Sequence, residues 1–389
     1  MPGHVGVDGL SSTLQLLRDG RPRTRAELAQ LTGQARSTVS QRVDALIAAR
    51  LVAPTGEATS TGGRPPATFA FNPAARVVLA VDLGATHARV AVTDLAATVL
   101  AEELRSIVIG DGPAPVLDVV AAVAHEVLAA AGRSPADVAG IGVGLPGPVD
   151  HATGRPTNPP IMPGWHDADV RGELRARLGV LPVVVDNDVN AMAVGEHAAA
   201  WPDVDHLVFV KVATGIGAGI VSDGRIVRGA QGTAGDLGHV AVPGGADVPC
   251  RCGSTGCLEA LASGRAVAAA LRAEGLPAEG GADVAALVAA GDALAAAAVR
   301  DAGRAIGRVL AGCVSLLNPS VIAVGGSLAT AGEQLLAGVR ETVYRRSPPI
   351  ATQHLRIVTS RTGARAGVIG ASTMVIEQVL SGELLDGIV

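Results

Sequence analysis

The sequence predicts an α/β body carrying a small helical head, and three observations lead there. Residues 10–51 place apolar side chains at helical spacing in short stretches. From Val77 onward, apolar runs of buried-strand type alternate with helical patterns to the end of the chain. The charge is also divided between the two parts: residues 1–73 hold eight arginines against five acidic side chains, whereas the whole chain has a formal net charge of −5. A mildly basic head on an acidic body suits a nucleic-acid reader attached to a ligand-binding unit.

The chain has 389 residues, 48% of them hydrophobic, enough for two or three compact units. Only 2% are aromatic, so the core must be aliphatic. Lys211 is the sole lysine, which reads, with the excess of Ala and Gly, as the codon usage of a GC-rich genome. Residues 1–9 show neither a basic region nor an apolar run, and no uncharged apolar stretch approaches the ~18 residues of a membrane span. Three of the four cysteines are clustered, which points to a metal in a reducing cytoplasm rather than to disulfides.

In the head, Leu14, Leu16 and Leu17 form the apolar face of a first helix, closed by Asp19-Gly20. Thr24 is an N-cap for residues 25–31, with Glu27 at the capping-box position. Thr32-Gly33-Gln34 makes a turn, and Ser37 opens a longer helix bearing Val39, Val43, Leu46 and Ile47. Residues 51–71 read as two short strands around a tip at residues 59–66. Helix, tight turn and helix let the second helix enter the major groove of a double-stranded DNA operator. Its first turns carry Arg36, Ser37, Thr38, Ser40, Gln41 and Arg42, side chains able to reach phosphates and base edges. Arg64, between Gly63 and Pro65, suits a stiff loop that enters a narrow minor groove. A dimerisation unit with solvated arginines is the competing reading, and it leaves the coincidence of helix, turn, wing and charge unaccounted for.

Asn72-Pro73 marks a boundary, and Val77–Val81 begins the body. Residues 264–313, nearly all Ala, Val, Leu and Gly, predict packed helices, and no sequence repeat is visible. The most specific motif is His239 followed by Cys250, Cys252 and Cys257. One imidazole and three thiolates make a closed tetrahedral shell for a structural zinc, and Gly253 and Gly256 permit the turns. Cys313, alone in an apolar helical run, reads as a core residue.

With this knot, the segments Gly235–His239, Val185–Asp188, Asp82–Thr86 and Gly142–Gly147 make the chain resemble the ROK family of repressors and sugar kinases, over essentially its whole length. The head, ending in Gly-Gly-Arg-Pro, resembles the family's regulator branch. The resemblance implies an actin-like or ribonuclease-H-like fold: a winged helix-turn-helix over residues 1–73, one lobe over 74–190 completed by 367–389, and a second over 191–366. It implies that Asn187, Asp188, Asp236, His239 and Glu259 bind a sugar or sugar phosphate, with Asp188 as the base were the chain a kinase. It further implies a magnesium-ATP site, for an active kinase only, at Asp82, Gly84, Thr86, Thr214, Gly215, Gly325 and Gly326. Ala85 and Ala213 stand where kinases carry Gly, His87 replaces a Lys, and Asp236 replaces a Glu. An alanine Cβ narrows a phosphate cradle, and the shorter acid reaches less far, so the departures favour weak or absent catalysis. Family members assemble as dimers or tetramers, and no membrane is implied. The expected function is a sugar-responsive transcriptional regulator. Two rival readings stay open: a sugar kinase that also binds DNA, and a ligand-independent repressor that uses the fold as a dimerisation scaffold.

Overall fold

A computed structural model describes residues 9–57, 66–159, 162–180, 182–245, 247–381 and 385. The head comprises α1 (Leu10–Leu17), β1 (Arg23–Thr24), α2 (Arg25–Thr32), α3 (Arg36–Ala48), β2 (Val52–Glu57) and β3 (Ala67–Phe71). The capping box is present: the Thr24 hydroxyl accepts from the Glu27 amide, and the Glu27 carboxylate accepts from the Thr24 amide at 2.7 Å. α3 starts at Arg36, one residue ahead of the Ser37 start expected from sequence. The Ala35 carbonyl already accepts from Val39 N–H, so the ladder begins without a side-chain cap. β3 pairs antiparallel with both β2 and β1, forming a three-stranded sheet. Arg64 and residues 58–65 of the predicted tip lie outside the described residues.

The body begins with β4 (Val77–Leu83), β5 (His87–Asp94) and β6 (Val99–Ser106), followed by α4 (Pro113–Ala130). Then come β7 (Val138–Leu145), β8 (Val149–Asp150), β9 (Arg155–Pro156), α5 (Val170–Leu178) and β10 (Val183–Asn187). α6 (Asp188–Ala200) leads to β11 (Leu207–Val212), β12 (Ile216–Ser222) and β13 (Arg225–Val227). After α7 (Leu258–Ala262), the helices α8 (Gly264–Ala273), α9 (Gly281–Ala289) and α10 (Ala293–Leu317) fill the stretch read from sequence as packed helices. β14 (Val321–Gly325), α11 (Glu333–Arg346), α12 (Pro349–Thr352), β15 (Arg356–Thr359) and α13 (Ala366–Val379) complete the chain.

The two large sheets share one topology. Their strand orders are β6-β5-β4-β7-β10 and β13-β12-β11-β14-β15. In each, three antiparallel strands precede two that run parallel to the first. The duplication is invisible in the sequence because a sheet specifies apolar pattern and strand direction, not residue identity. α4 is long and apolar enough by composition to cross a membrane. Its Val116, Leu117, Val120, Ala124 and Val127 instead pack into the core beneath the first sheet.

α6 runs across residue 190, where the lobe boundary was expected, and lies against α13. A Cβ on Gly370 would stand 1.7 Å from the Ala191 carbonyl, and one on Gly195 2.1 Å from that of Ala366. Only hydrogen side chains allow the two backbones to approach so closely. Glu196 of α6, fully buried, accepts from Trp201 Nε1 and from Ser360, Arg361 and Thr362 just ahead of α13.

The head is not a separate bead. Leu14, Leu17, Val39 and Leu46 share one apolar cluster with Met374, Val375, Ile376, Val379 and Leu380 of α13 and its end. The Ser11 hydroxyl donates to the Leu380 carbonyl, and Arg18 pairs with Glu377 at 2.8 Å.

Candidate functional site: an interlobe cleft beside a Cys/His cluster

β10 ends where α6 begins, and this junction forms the floor of a cleft of about 340 Å³. The first lobe contributes Pro146, Gly147, Asn187 and Asp188. The second contributes Lys211, Thr214, Gly215, Asp236, His239, Arg251, Glu259 and Arg265. All five residues expected to bind a sugar therefore line one cavity. Of the expected nucleotide residues, Thr214 and Gly215 line it, whereas Asp82, Gly84, Thr86, Gly325 and Gly326 do not.

Asn187 is the N-cap of α6. Its Oδ1 accepts from the Val189 and Asn190 amides, and its Nδ2 donates to the Gly147 carbonyl at 2.8 Å. The side chain thus joins the β7 end to α6 while facing the cavity. Asp188 is buried, its Oδ2 held by Lys211 Nζ at 2.5 Å and its Oδ1 by the Val189 amide. The Glu259 carboxylate accepts from the Ile216 amide at 3.1 Å, pinning α7 to β12. Gly235, at φ +91°, lies against β12; a Cβ there would meet the Ala218 carbonyl at 1.9 Å. This contact places Asp236 at the rim, with Oδ1 3.9 Å from His239 Nε2.

His239, Cys250, Cys252 and Cys257 present donor atoms all within 4.8 Å of one another. Cys252 Sγ is 3.7 Å from Cys257 Sγ, and Cys250 Sγ is 3.6 Å from His239 Nδ1. A tetrahedral ion with metal–sulfur bonds of ~2.3 Å needs sulfurs ~3.8 Å apart, so the residues fit such an ion. The Cys252 thiol is drawn down to about 7 by the Ser254 backbone and the neighbouring thiols, whereas burial pushes Cys257 up to about 12. Several thiolates share so small a space readily only around a cation.

At the other end of the cleft, Ala85 of the first expected phosphate loop lines the cavity, while Gly84 beside it is covered by protein. The Gly84 amide donates to the His87 carbonyl at 2.8 Å, and the His87 ring lies on Gly84, where an added Cβ would meet Cε1 at 2.2 Å. Burial, with Lys211 and Arg89, holds the His87 imidazole below its ordinary value. Asp82 is buried and its carboxyl is raised to about 6, chiefly by burial, with Lys211 opposing and Asp188 adding. Gly326 packs against the Val212 carbonyl and Gly325 against the Phe209 ring.

Four site residues were missed by sequence reasoning. Lys211, Arg251 and Arg265 line the cavity, and Arg228 lies just behind it. A signal for Lys211 was present: the one lysine kept by a chain that otherwise uses arginine. Arg228 Nε donates to buried Asp186 at 2.6 Å, and Asn190 Nδ2 donates to the same carboxylate. His151 Nδ1 lies 3.4 Å from it, and Arg228 Nη2 reaches Met374 Sδ at 4.0 Å. These contacts carry the back of the cleft to α13. On the head, Arg36, Ser37 and Gln41 are exposed, while Thr38, Ser40 and Arg42 are half-buried. Arg36 and Ser40 line a groove with Thr24, Arg25 and Phe69.

Two lobes of repeated topology around a cleft, with a small N-terminal head docked on the last helix, define a sugar-kinase-like fold carrying an added head. Residues 78–378 match the ROK family, and the chain belongs to that family. It is 29% identical to a xylose repressor of Caldicellulosiruptor bescii over 95% of each chain. It is 30% identical to a glucokinase of Thermotoga maritima, over 78% of this chain and 98% of that one. A solved ROK family transcriptional regulator, a homologue of the Escherichia coli MLC protein, superposes with a TM-score of 0.82 at 28% identity, covering 97% of both chains. The match to the glucokinase leaves out about a fifth of this chain, whereas those to the repressor and the regulator take in nearly all of it.

Proposed function

We propose that the chain is a sugar-responsive, DNA-binding transcriptional repressor whose interlobe cleft senses a sugar. The observation that carries this reading is the shared core: the head is packed on α13, and α13 touches Arg228 behind the cleft. Asp188, Asp236 and Glu259 offer carboxylate acceptors, and Asn187 a partly used amide, to a ring of hydroxyls. His239, Cys250, Cys252 and Cys257 would hold a zinc ion, which supplies a rigid closed tetrahedral post rather than chemistry on a ligand. Were His239 to hold the ion through Nδ1, the atom beside Cys250, its Nε2 would carry the ring's proton on the Asp236 side of the cleft and could donate to a hydroxyl. Arg36, Ser37, Thr38, Ser40, Gln41 and Arg42 would read the operator, with Arg64 on the wing, and two copies would serve a two-fold site.

Ligand that draws the lobes together moves the loop holding residues 228–239, shifts Arg228 against Asp186 and Met374, and re-aims the head through α13. The test is fluorescence anisotropy of an operator fragment from upstream of the chain's own gene, with and without D-xylose and D-glucose. One sugar is expected to change affinity by about 5–150-fold, corresponding to ~1–3 kcal/mol of coupling. Indifference to every sugar, with operator binding intact, would leave the scaffold reading in its place. The kinase reading draws on the Thermotoga maritima glucokinase likeness. Sugar-dependent ADP release abolished by Asp188→Asn would establish it.

A further inference from the structure

The family resemblance implies magnesium-nucleotide for a kinase, and the residues at that end of the cleft do not fit it. Two acidic side chains, Asp82 and Asp188, would need a divalent ion to balance them. Here the balance is supplied by the protein. Lys211 Nζ is 2.5 Å from Asp188 Oδ2, both side chains being largely buried. Burial works to lower the Lys211 ammonium, but the Asp188 and Asp82 carboxylates outweigh it and hold it above the ordinary lysine value. The sheet makes room for this cation. Lys211 on β11 is flanked in register by Gly217 on β12 and Gly325 on β14, so no neighbouring side chain competes with its stem. The cradle beside it is narrowed too, because the His87 ring lies on Gly84, the Gly84 amide is spent on the His87 carbonyl, and the cavity is lined there by Ala85.

We infer that Lys211 is the built-in counter-cation of this cleft, standing in for a divalent metal, so that the site takes a sugar without metal or nucleotide. An ammonium carries three donors, and Asp188 uses one of them. The remaining N–H groups can meet a ligand hydroxyl, because Lys211 lines the cavity. Asp188, already ion-paired, then serves as a hydroxyl acceptor rather than as a base that takes a proton. The inference rests on reading this cleft as the ligand site.

The test uses full-length, zinc-loaded protein and the thermal midpoint as readout, with magnesium chloride alone, magnesium with the non-hydrolysable analogue AMP-PNP, and D-xylose as probes. Wild type is expected to ignore the first two. Lys211→Met is expected to gain a shift of several degrees from magnesium alone, as the carboxylates left without their cation take a divalent ion. Lys211→Met with Asp188→Asn should lose that gain. Should Lys211→Met fail to fold, Lys211→Gln carries the same arm, with bound zinc as the check on folding. A wild-type shift with magnesium AMP-PNP would overturn the inference. So would a folded Lys211 variant as indifferent to magnesium as wild type. Neither magnesium arm contains a sugar or DNA, so a failed sugar response condemns the sensor reading and leaves this result standing.

Discussion

At the scale of single residues, the cleft and the Cys/His cluster set opposite demands on charge. Cys257 is buried among thiols and needs a cation to exist as a thiolate. Cys257→Ser should therefore lower bound zinc well below about one ion per chain and depress the melting point by several degrees, read by metal analysis beside calorimetry. Asp82 has the contrary problem. Its folded-state carboxyl stands at about 6, above the 3.8 of an unperturbed aspartate. The folded chain thus holds a proton there that the unfolded chain releases, and stability falls as pH rises from near 4 through 6. Asp82→Asn should be more stable than wild type at pH 7.5, by about 3 kcal/mol, with the gain vanishing toward pH 4 in urea titrations. A constant gain at every pH would assign the effect to packing instead.

At the scale of elements, α3 and α13 each serve two purposes. α3 buries Val39, Val43 and Leu46 and exposes Arg36, Ser37 and Gln41, so its outer face is free to change without loss of the head's core. Arg36→Ala should weaken operator binding and, where Arg36 meets a phosphate, lower the slope of log affinity against log salt by about one, measured by anisotropy across a salt series. α13 is buried along most of its length, against the first sheet on one side and the head on another. Leu17→Ala, which empties a fully buried site in that shared core, should destabilise by ~3 kcal/mol. Because the core is shared, the head should melt together with the first lobe rather than ahead of it.

At the scale of the whole molecule, the cleft is joined to the head through α13, which packs along α6 and meets Arg228 behind the cleft. Arg228 belongs to the second lobe, Asp186 to the first, and Met374 to the helix beneath the head. Arg228→Met should leave sugar affinity within a few-fold of wild type while shrinking the sugar-induced change in operator affinity, compared by titrating each ligand in the presence of the other. An unchanged operator response would route the coupling elsewhere, the Glu196 tie between α6 and the start of α13 being the next contact to cut.

Much of this was legible in the residue order because the chemistry is local. The capping box spans four residues, and three of the four cluster donors lie within eight positions of one another. Strand runs and turn glycines carry their own periodicity. Asn187 and Asp188 were found by motif, but their separate tasks, as helix cap and as partner of Lys211, depend on strands that meet only after folding. The same holds for Lys211, which looked like codon usage until β11 set it opposite α6. The repeated sheet topology, the glycine crossing of α6 and α13 and the core shared by residues 14 and 379 join positions separated by up to several hundred residues. The sequence alone determined which side chains could do chemistry, since donors, charges and turns are properties of neighbouring residues. Tertiary structure alone decided which of them face one another, since that depends on how two sheets and a long last helix close around a common cleft.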